Sequence, residues 1–364
     1  MGIGLGIGIN RSNYAQGIFN AYNSRVVADG GVTEAGACVD AVSGLLLTAS
    51  LLLIPSGYKS GKAYAQIPTN GNGDLTWTRA STANRTNSSG NIELMGSGVP
   101  RLSYMHGSCP ALLLEPQRTN LVFPSATATT QTRAVTSTPH TLTFYGTGTV
   151  VLSGVAIATL TGTGANNRVS LTFTPSSGNL ILTVTGTVTN WQLEAGSYAS
   201  TLVTTTTASA TRVVDTYGRD NIFTNGLITS SGGTWFIELR NNLAYARDNA
   251  SASIFINTGT SASLNDGFRM RNTGSSRMIF DKIVASVSTT LYTTTTDTTK
   301  IAIKWNGSTA DIFANGTKVV SATSFTATAM EILNGSPQVP IFIQQMALFA
   351  SPLSDTDCTT LTTL

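Results

Sequence analysis

A chain of 364 residues with 18 acidic and 21 basic side chains offers few groups for acid–base chemistry. Hydrolysis of a glycosidic bond needs two carboxyl groups flanking it, one of them held protonated. The strand-borne candidates are Glu194, Glu238, Asp266, Asp281, Asp311 and Glu331. They stand singly, without a D-x-E or E-x-D-x-x-E pattern to bring two onto one face, so isolated surface or cross-strand carboxylates are expected. There is no G-x-S-x-G motif, and the two histidines, His106 and His140, are too few for most triads or for a zinc site. Cys38, Cys109 and Cys358 are widely spaced and odd in number, and are expected to be reduced, partly buried thiols. Calcium needs clustered oxygens, for which Asn265-Asp266 and Asp355-Thr356-Asp357 are the short candidates. The expectation is a non-enzyme with no metal and no cofactor, calcium being the outside alternative.

Two further residue classes could recognise a ligand. Arg79, Arg85, Arg101, Arg118 and Arg212 fall in the same two stretches as Glu93, Glu115 and Asp215. A guanidinium offers a fork of donors to carboxylates and carbonyls, so the favoured reading is a buried structural network, and the competing one a site for acidic sugars. Sugar rings stack on exposed aromatics, for which Trp235, Tyr245 and Tyr292 are the candidates beside Trp191 and Trp305. The tryptophans lie in apolar strands, where core packing is the favoured reading and binding the competing one.

The elements that must position these groups read as β. Charged residues are 11% of the chain, the hydrophobic fraction is 41%, and 58 residues are threonine. Such a charge-poor, β-branched composition predicts strands, and the apolar fraction argues against disorder. A net charge of +3 without a basic block argues against nucleic acid as a partner. The apolar stretch Ala41–Pro55 is too short and interrupted to span a membrane, and the start lacks the positive flank of a signal peptide.

Gly2, Gly4, Gly6 and Gly8 alternate with Ile3, Leu5, Ile7 and Ile9, a strand whose bare face would let another backbone approach closely. It is read as an attachment element. Tyr14, Ile18, Tyr22 and Val26 form one helical stripe, and Ala35, Val39, Val42, Leu45 and Leu46 a second with Thr33 as its N-cap; both are expected to pack against other subunits. Strand and turn signals follow from residue 66. Residues 125–140 read as a linker or long loop, 141–193 as short strands of a small sandwich, and 300–320 as a meander with Asn306-Gly307 and Asn315-Gly316 turns. The tail 352–358 reads as a capped turn.

Several of these stretches resemble a family. The segment 77–120 contains Thr78-Arg79, Arg85, Gly90, Ile92-Glu93, Val99-Pro100-Arg101-Leu102, Tyr104 and the run Leu112–Leu121. It resembles a segment of tailed-bacteriophage virion proteins. Trp191–Gly196, with Ala210-Thr211-Arg212 and Asp215, resembles the ending of that family's carbohydrate-binding-module-like sandwich. Gly233-Thr234-Trp235, Lys300–Gly307, Ala314-Asn315-Gly316, Gln345–Phe349 and Leu353-Ser354-Asp355 resemble a concanavalin-A-like (laminin-G-type) jelly roll.

The resulting expectation is a mainly β protein of sandwich and jelly-roll modules with a short N-terminal helical region. Its divisions would be 1–65 for attachment and oligomerisation, a strand-rich 66–124, a small sandwich at 125–215, and a jelly roll at 216–364. The resemblance implies a structural component of a virion surface, a head or tail fibre or a decoration protein, made in the host cytoplasm. Its partners would be other capsid or tail proteins, further copies of itself in a trimer, and a host-surface glycan, with no membrane. The alternatives are a receptor-binding adhesin specific for one polysaccharide and a glycan depolymerase.

Overall fold

In the computed structural model, the structure describes residues 11–34, 44–240, 252–258, 266–273, 277–294, 299–326 and 329–363. The alternating segment Gly2–Ile9, together with Ala35, Cys38, Val39, Val42, Tyr245 and Asn265, lies outside them.

The β-branched, charge-poor sequence folds into antiparallel sheets stacked as two sandwiches. Among the described residues, the larger sandwich has a ten-stranded sheet that runs from Val32–Thr33 to Val287–Thr293 and takes in Leu75–Thr78 and Thr216–Asp220 side by side. Facing it is an eight-stranded sheet centred on Gly232–Arg240 and Ile341–Phe349. Trp77, Ile254, Phe268 and Phe280 of the first sheet meet Trp235, Ile237, Ile303 and Trp305 of the second in one core.

The other face of the eight-stranded sheet is also covered. Phe236, Ala302, Phe313 and Phe349 point there, against Phe19 of helix α1 (Arg11–Ala28), Leu46 and Leu47 of a 3-10 turn, and Cys358 and Leu361 of helix α2 (Asp355–Thr362). Burial on both faces explains why its central strands read as unbroken apolar runs rather than alternating ones. The 300–320 meander forms as Thr299–Asn306, Thr309–Ala314 and Thr317–Ser324, paired in that order.

The smaller sandwich stacks the strands Gln131–Val135, Thr149–Gly154, Ala158–Thr161 and Gly178–Thr185 over His140–Gly146, Gly164–Phe173 and Val188–Ala195. Its core is Leu142, Phe144, Val150, Leu152, Leu182 and Trp191, with their neighbours. A two-stranded ribbon, Arg118–Asn120 against Ala210–Arg212, carries the chain into and out of it.

Several expectations are corrected here. Thr33, read as an N-cap, pairs with Gly57 in a strand, and Leu46 belongs to a 3-10 turn rather than to a long helical stripe; the residues between, 35–43, lie outside the described ones. Tyr22 and Val26 of the first stripe are buried within this chain, against Tyr64, rather than left for a sister subunit. Helix α1 ends in a Schellman motif, with Gly30 at φ +71° and Gly31 donating to the Val26 carbonyl, and Gly31 leaves no room for a Cβ beside Tyr64. The presumed linker contains a strand, since Gln131–Val135 pairs with residues 178–182. The tail is a helix rather than a turn, its first turn capped by Ser354 accepting from the Asp357 amide. Cys109 is held in a disulfide, whereas Cys358 is a free, buried thiol. Wide spacing in sequence does not keep groups apart in a sheet protein, where most contacts join distant segments.

Candidate functional site

Strand alternation in the smaller sandwich builds the site. Leu142, Phe144, Val169, Leu171 and Leu193 face that sandwich's core. The intervening residues, Thr143, Tyr145, Arg168, Ser170, Gln192 and Glu194, therefore share the opposite face. Register sets Tyr145 opposite Arg168, and Thr143 between Ser170 and Gln192. The loop 196–201 crosses this polar face. Glu194 pins it by accepting from the Ser200 amide at 2.8 Å and the Ser200 hydroxyl at 2.6 Å.

From the larger sandwich come Tyr104, Met105 and Phe342, and from a separate ribbon, Ala83–Thr86 against Ile92–Met95, comes Thr86. The two sets enclose an open groove of about 670 Å³ at the junction of the sandwiches. Tyr198 and Phe342 are buried, while Tyr104 and Tyr145 are half-buried and Ser170 and Thr172 exposed. His106 meets Phe342 edge to face at 4.4 Å. Burial and the nearby Glu34 charge raise the Tyr104 hydroxyl to about 12, so it stays protonated and can donate.

Beneath the groove lies a buried cluster of charge. Arg79 donates to Asp215 at 2.9 Å and to the Ser81 and Gly96 carbonyls. Arg101 donates to the other Asp215 oxygen, to Glu115 at 2.6 Å and to the Asn84 carbonyl at 2.9 Å. Arg212 lies 3.0 Å from Glu115 and donates to the Pro116 carbonyl at 2.8 Å. Thr201, which lines the groove, donates its amide to Glu115 at 2.8 Å and its hydroxyl to the same carboxylate at 2.5 Å. The arginines and carboxylates of this cluster are all essentially inaccessible to solvent.

Burial by itself would raise the Glu115 carboxyl, but the charges of Arg212 and Arg101 and the Thr201 hydrogen bonds outweigh it and hold it at about 2. A carboxyl so held is an anion at neutral pH and has no proton to give a leaving group. It fixes the groove's loop instead.

The structure thus brings Arg79, Arg101, Arg212, Glu115 and Asp215 into one cluster. Arg118 is 3.7 Å from Glu194 and over the Tyr198 ring at 4.7 Å, at the cluster's edge. Arg85 belongs to a separate group, bridging Glu93 at 2.8 Å and Glu34 at 2.7 Å.

The aromatic candidates are placed elsewhere. Trp235 has no accessible surface between the two large sheets, so it cannot stack on a sugar; the strand that carries it is covered on both faces. Tyr292 packs 6.1 Å from Phe280, against the main core rather than in the groove. Among the possible calcium ligands, Asp266 accepts from the Ala285 amide at 2.7 Å, Asp355 pairs with Lys304 and Lys318, and Asp357 bonds the Ser354 hydroxyl.

The groove residues that sequence reasoning missed are Tyr145, Arg168, Tyr198 and Phe342. The signal available for the first two was alternation: each stands at a polar-face position of a strand whose other face is Leu, Phe or Val.

Fold and groove together define a two-sandwich, antiparallel β protein with a ligand-sized cleft where the sandwiches meet. No protein-family model matches the chain, and no curated protein does. Among solved structures it is similar to domain 4 of AbnA, a GH43 extracellular arabinanase from Geobacillus stearothermophilus, in complex with arabinotriose: identity is 12% over 43% of this chain and 77% of that one, with TM-score 0.31. It is similar to the Bacillus licheniformis β-glucanase at 10% identity over 38% of this chain and 72% of that one, TM-score 0.30. The binding domain of botulinum neurotoxin DC, in complex with rat synaptotagmin II, is similar at 16% identity, TM-score 0.31; the match covers 41% of this chain and spans only 39% of that one. Likenesses of this size identify neither ligand nor activity.

Proposed function

We propose that this protein is a non-enzymatic component of a virion surface that holds a glycan in the groove between its sandwiches. The observation that carries the glycan reading is the groove itself: tyrosines half-exposed at its walls, interleaved with serine and threonine hydroxyls, in about 670 Å³. Aromatic faces offer stacking surfaces to sugar rings, and hydroxyls and amides bond to sugar hydroxyls. Glu115, the carboxylate lining the groove, is locked as an anion by two arginines, which supports binding without turnover. The virion assignment rests on the resemblance of 77–120 and 191–215 to phage virion segments, and carries with it a jelly roll of the concanavalin-A type, capsid or tail partners and a trimer.

A glycan array probed with the full chain tests the binding role. Retention of oligosaccharides, lost in Tyr104→Ala and Tyr145→Ala, is the expected result, and no retention on any glycan overturns it. Reducing ends released over time from a retained polysaccharide would replace the binding role with a depolymerase. Labelled antibody against the chain decorating purified particles by electron microscopy is expected for a virion protein, and unlabelled particles would remove that part of the reading.

A further inference from the structure

The arginines around the groove differ in one respect. Arg79, Arg85, Arg101, Arg118 and Arg212 each lie within 3.7 Å of a carboxylate. Arg168, which lines the groove, has no carboxylate partner among the described residues. It donates Nη1 to the Ser200 carbonyl at 2.7 Å and Nη2 to the Thr143 hydroxyl at 2.8 Å, both neutral acceptors, and its Nε–H is buried with no partner. A guanidinium carries five N–H donors, so most of this one's capacity is uncommitted.

The other charges near it do not cancel it. Glu115 is already engaged by Arg101 and Arg212. Glu194 is bonded by Ser200 and Gln192 and approached by Arg118. In the cluster below, three guanidiniums face two carboxylates, which leaves a positive surplus there as well.

Resting on the glycan reading of this groove, we infer that its ligand is an acidic glycan whose anionic group pairs with Arg168 while the sugar ring lies on Tyr145. Register supports the division of labour. Tyr145 and Arg168 are directly opposed cross-strand partners on one sheet face. Such partners have Cβ atoms about 5 Å apart, near enough for one sugar residue to meet both side chains. The planar fork suits a carboxylate or a sulfate ester, and Ser170 and Thr172 continue the same face for the neighbouring hydroxyls.

The test is an array carrying uronate, sialate and sulfate-ester oligosaccharides beside neutral ones and the methyl esters of the uronates, followed by titration calorimetry of the retained ligands at low and high salt. The expected result is retention of acidic glycans at least tenfold tighter than the neutral or esterified forms, weakened by salt. Arg168→Gln should erase that tenfold preference with the thermal transition preserved, and Arg168→Lys should restore part of it. The uronate and sulfate spots tell which anion is read. Equal binding of acid and ester, or an unchanged preference in folded Arg168→Gln, overturns the inference while leaving a glycan groove standing. An array on which nothing is retained overturns both.

Discussion

Two settings for the same side chain meet at Ser200 in this protein, whose hydroxyl accepts from Arg212 and whose carbonyl accepts from Arg168. In the buried cluster, Arg79, Arg101 and Arg212 have no accessible side-chain surface, and each faces a carboxylate. On the polar face of the smaller sandwich, Arg168 is half-buried and, among the described residues, its guanidinium is bonded only to a carbonyl and a hydroxyl. A guanidinium taken out of water must be compensated, since an unpaired buried charge costs several kcal/mol. The cluster meets that demand internally, while Arg168 retains donors for something that arrives from outside. Pairing, rather than residue type, separates the structural arginines from the one proposed to bind.

The strongest way to break this comparison is at Asp215, which accepts from Arg79, from Arg101 and from the Glu115 amide at 2.8 Å. Asp215→Asn leaves two buried guanidiniums without their shared anion. A loss of about 3–5 kcal/mol in unfolding free energy is expected from urea denaturation. A loss below about 1 kcal/mol, the size seen for exposed pairs, would mean the cluster contributes little and the contrast with Arg168 disappears.

Acid titration attacks the same cluster without a mutation. Glu115 has a folded-state value of about 2 against an ordinary 4.5. Because the folded value is depressed, its contribution is fully present above 4.5 and is lost as pH falls toward 2. That contribution is about 3 kcal/mol. Thermal unfolding followed from pH 6 to pH 2 should show the drop concentrated below about 4.5. Glu115→Gln should be less stable at pH 6 and should have a flatter acid limb; an equally steep limb in that variant would assign the acid sensitivity to other carboxylates.

How much of this was legible beforehand follows from what fixes each feature. The β architecture was readable because Thr, Val and Ile alternate locally, and the 300–320 meander because its Asn-Gly turns are local too. The arginines and carboxylates of the cluster were readable as types. Their pairings were not, because Arg79 meets Asp215, and Thr201 meets Glu115, only after the smaller sandwich is threaded between them. Trp235 stayed among the binding candidates beside its favoured core reading because a strand covered on both faces gives no alternation to tell inside from outside. Arg168 was passed over for the opposite reason: it sits in a strand that alternates correctly, at a position where a charged residue on a solvated face is unremarkable. Only the register with Tyr145 and the crossing loop 196–201 turn that position into part of a groove.

The smallest expected effect is the sharpest test of the contrast. Arg168→Gln removes the same chemical group as a change at Arg101, but it leaves no carboxylate unpaired and frees only the carbonyl of Ser200, which lines the groove, and the hydroxyl of the buried Thr143. Two neutral acceptors left without a donor cost less than a stranded charge, so unfolding free energy should fall by about 1–2 kcal/mol. Arg101→Gln, which takes one of its two arginines from each of the buried carboxylates Glu115 and Asp215, should lose at least twice as much under the same urea titration. Similar losses at the two positions would mean that Arg168 serves mainly to hold loop 196–201 against the sheet. A large gap between them locates the tolerance for change at the groove wall, where a binding site can vary without unfolding the protein that carries it.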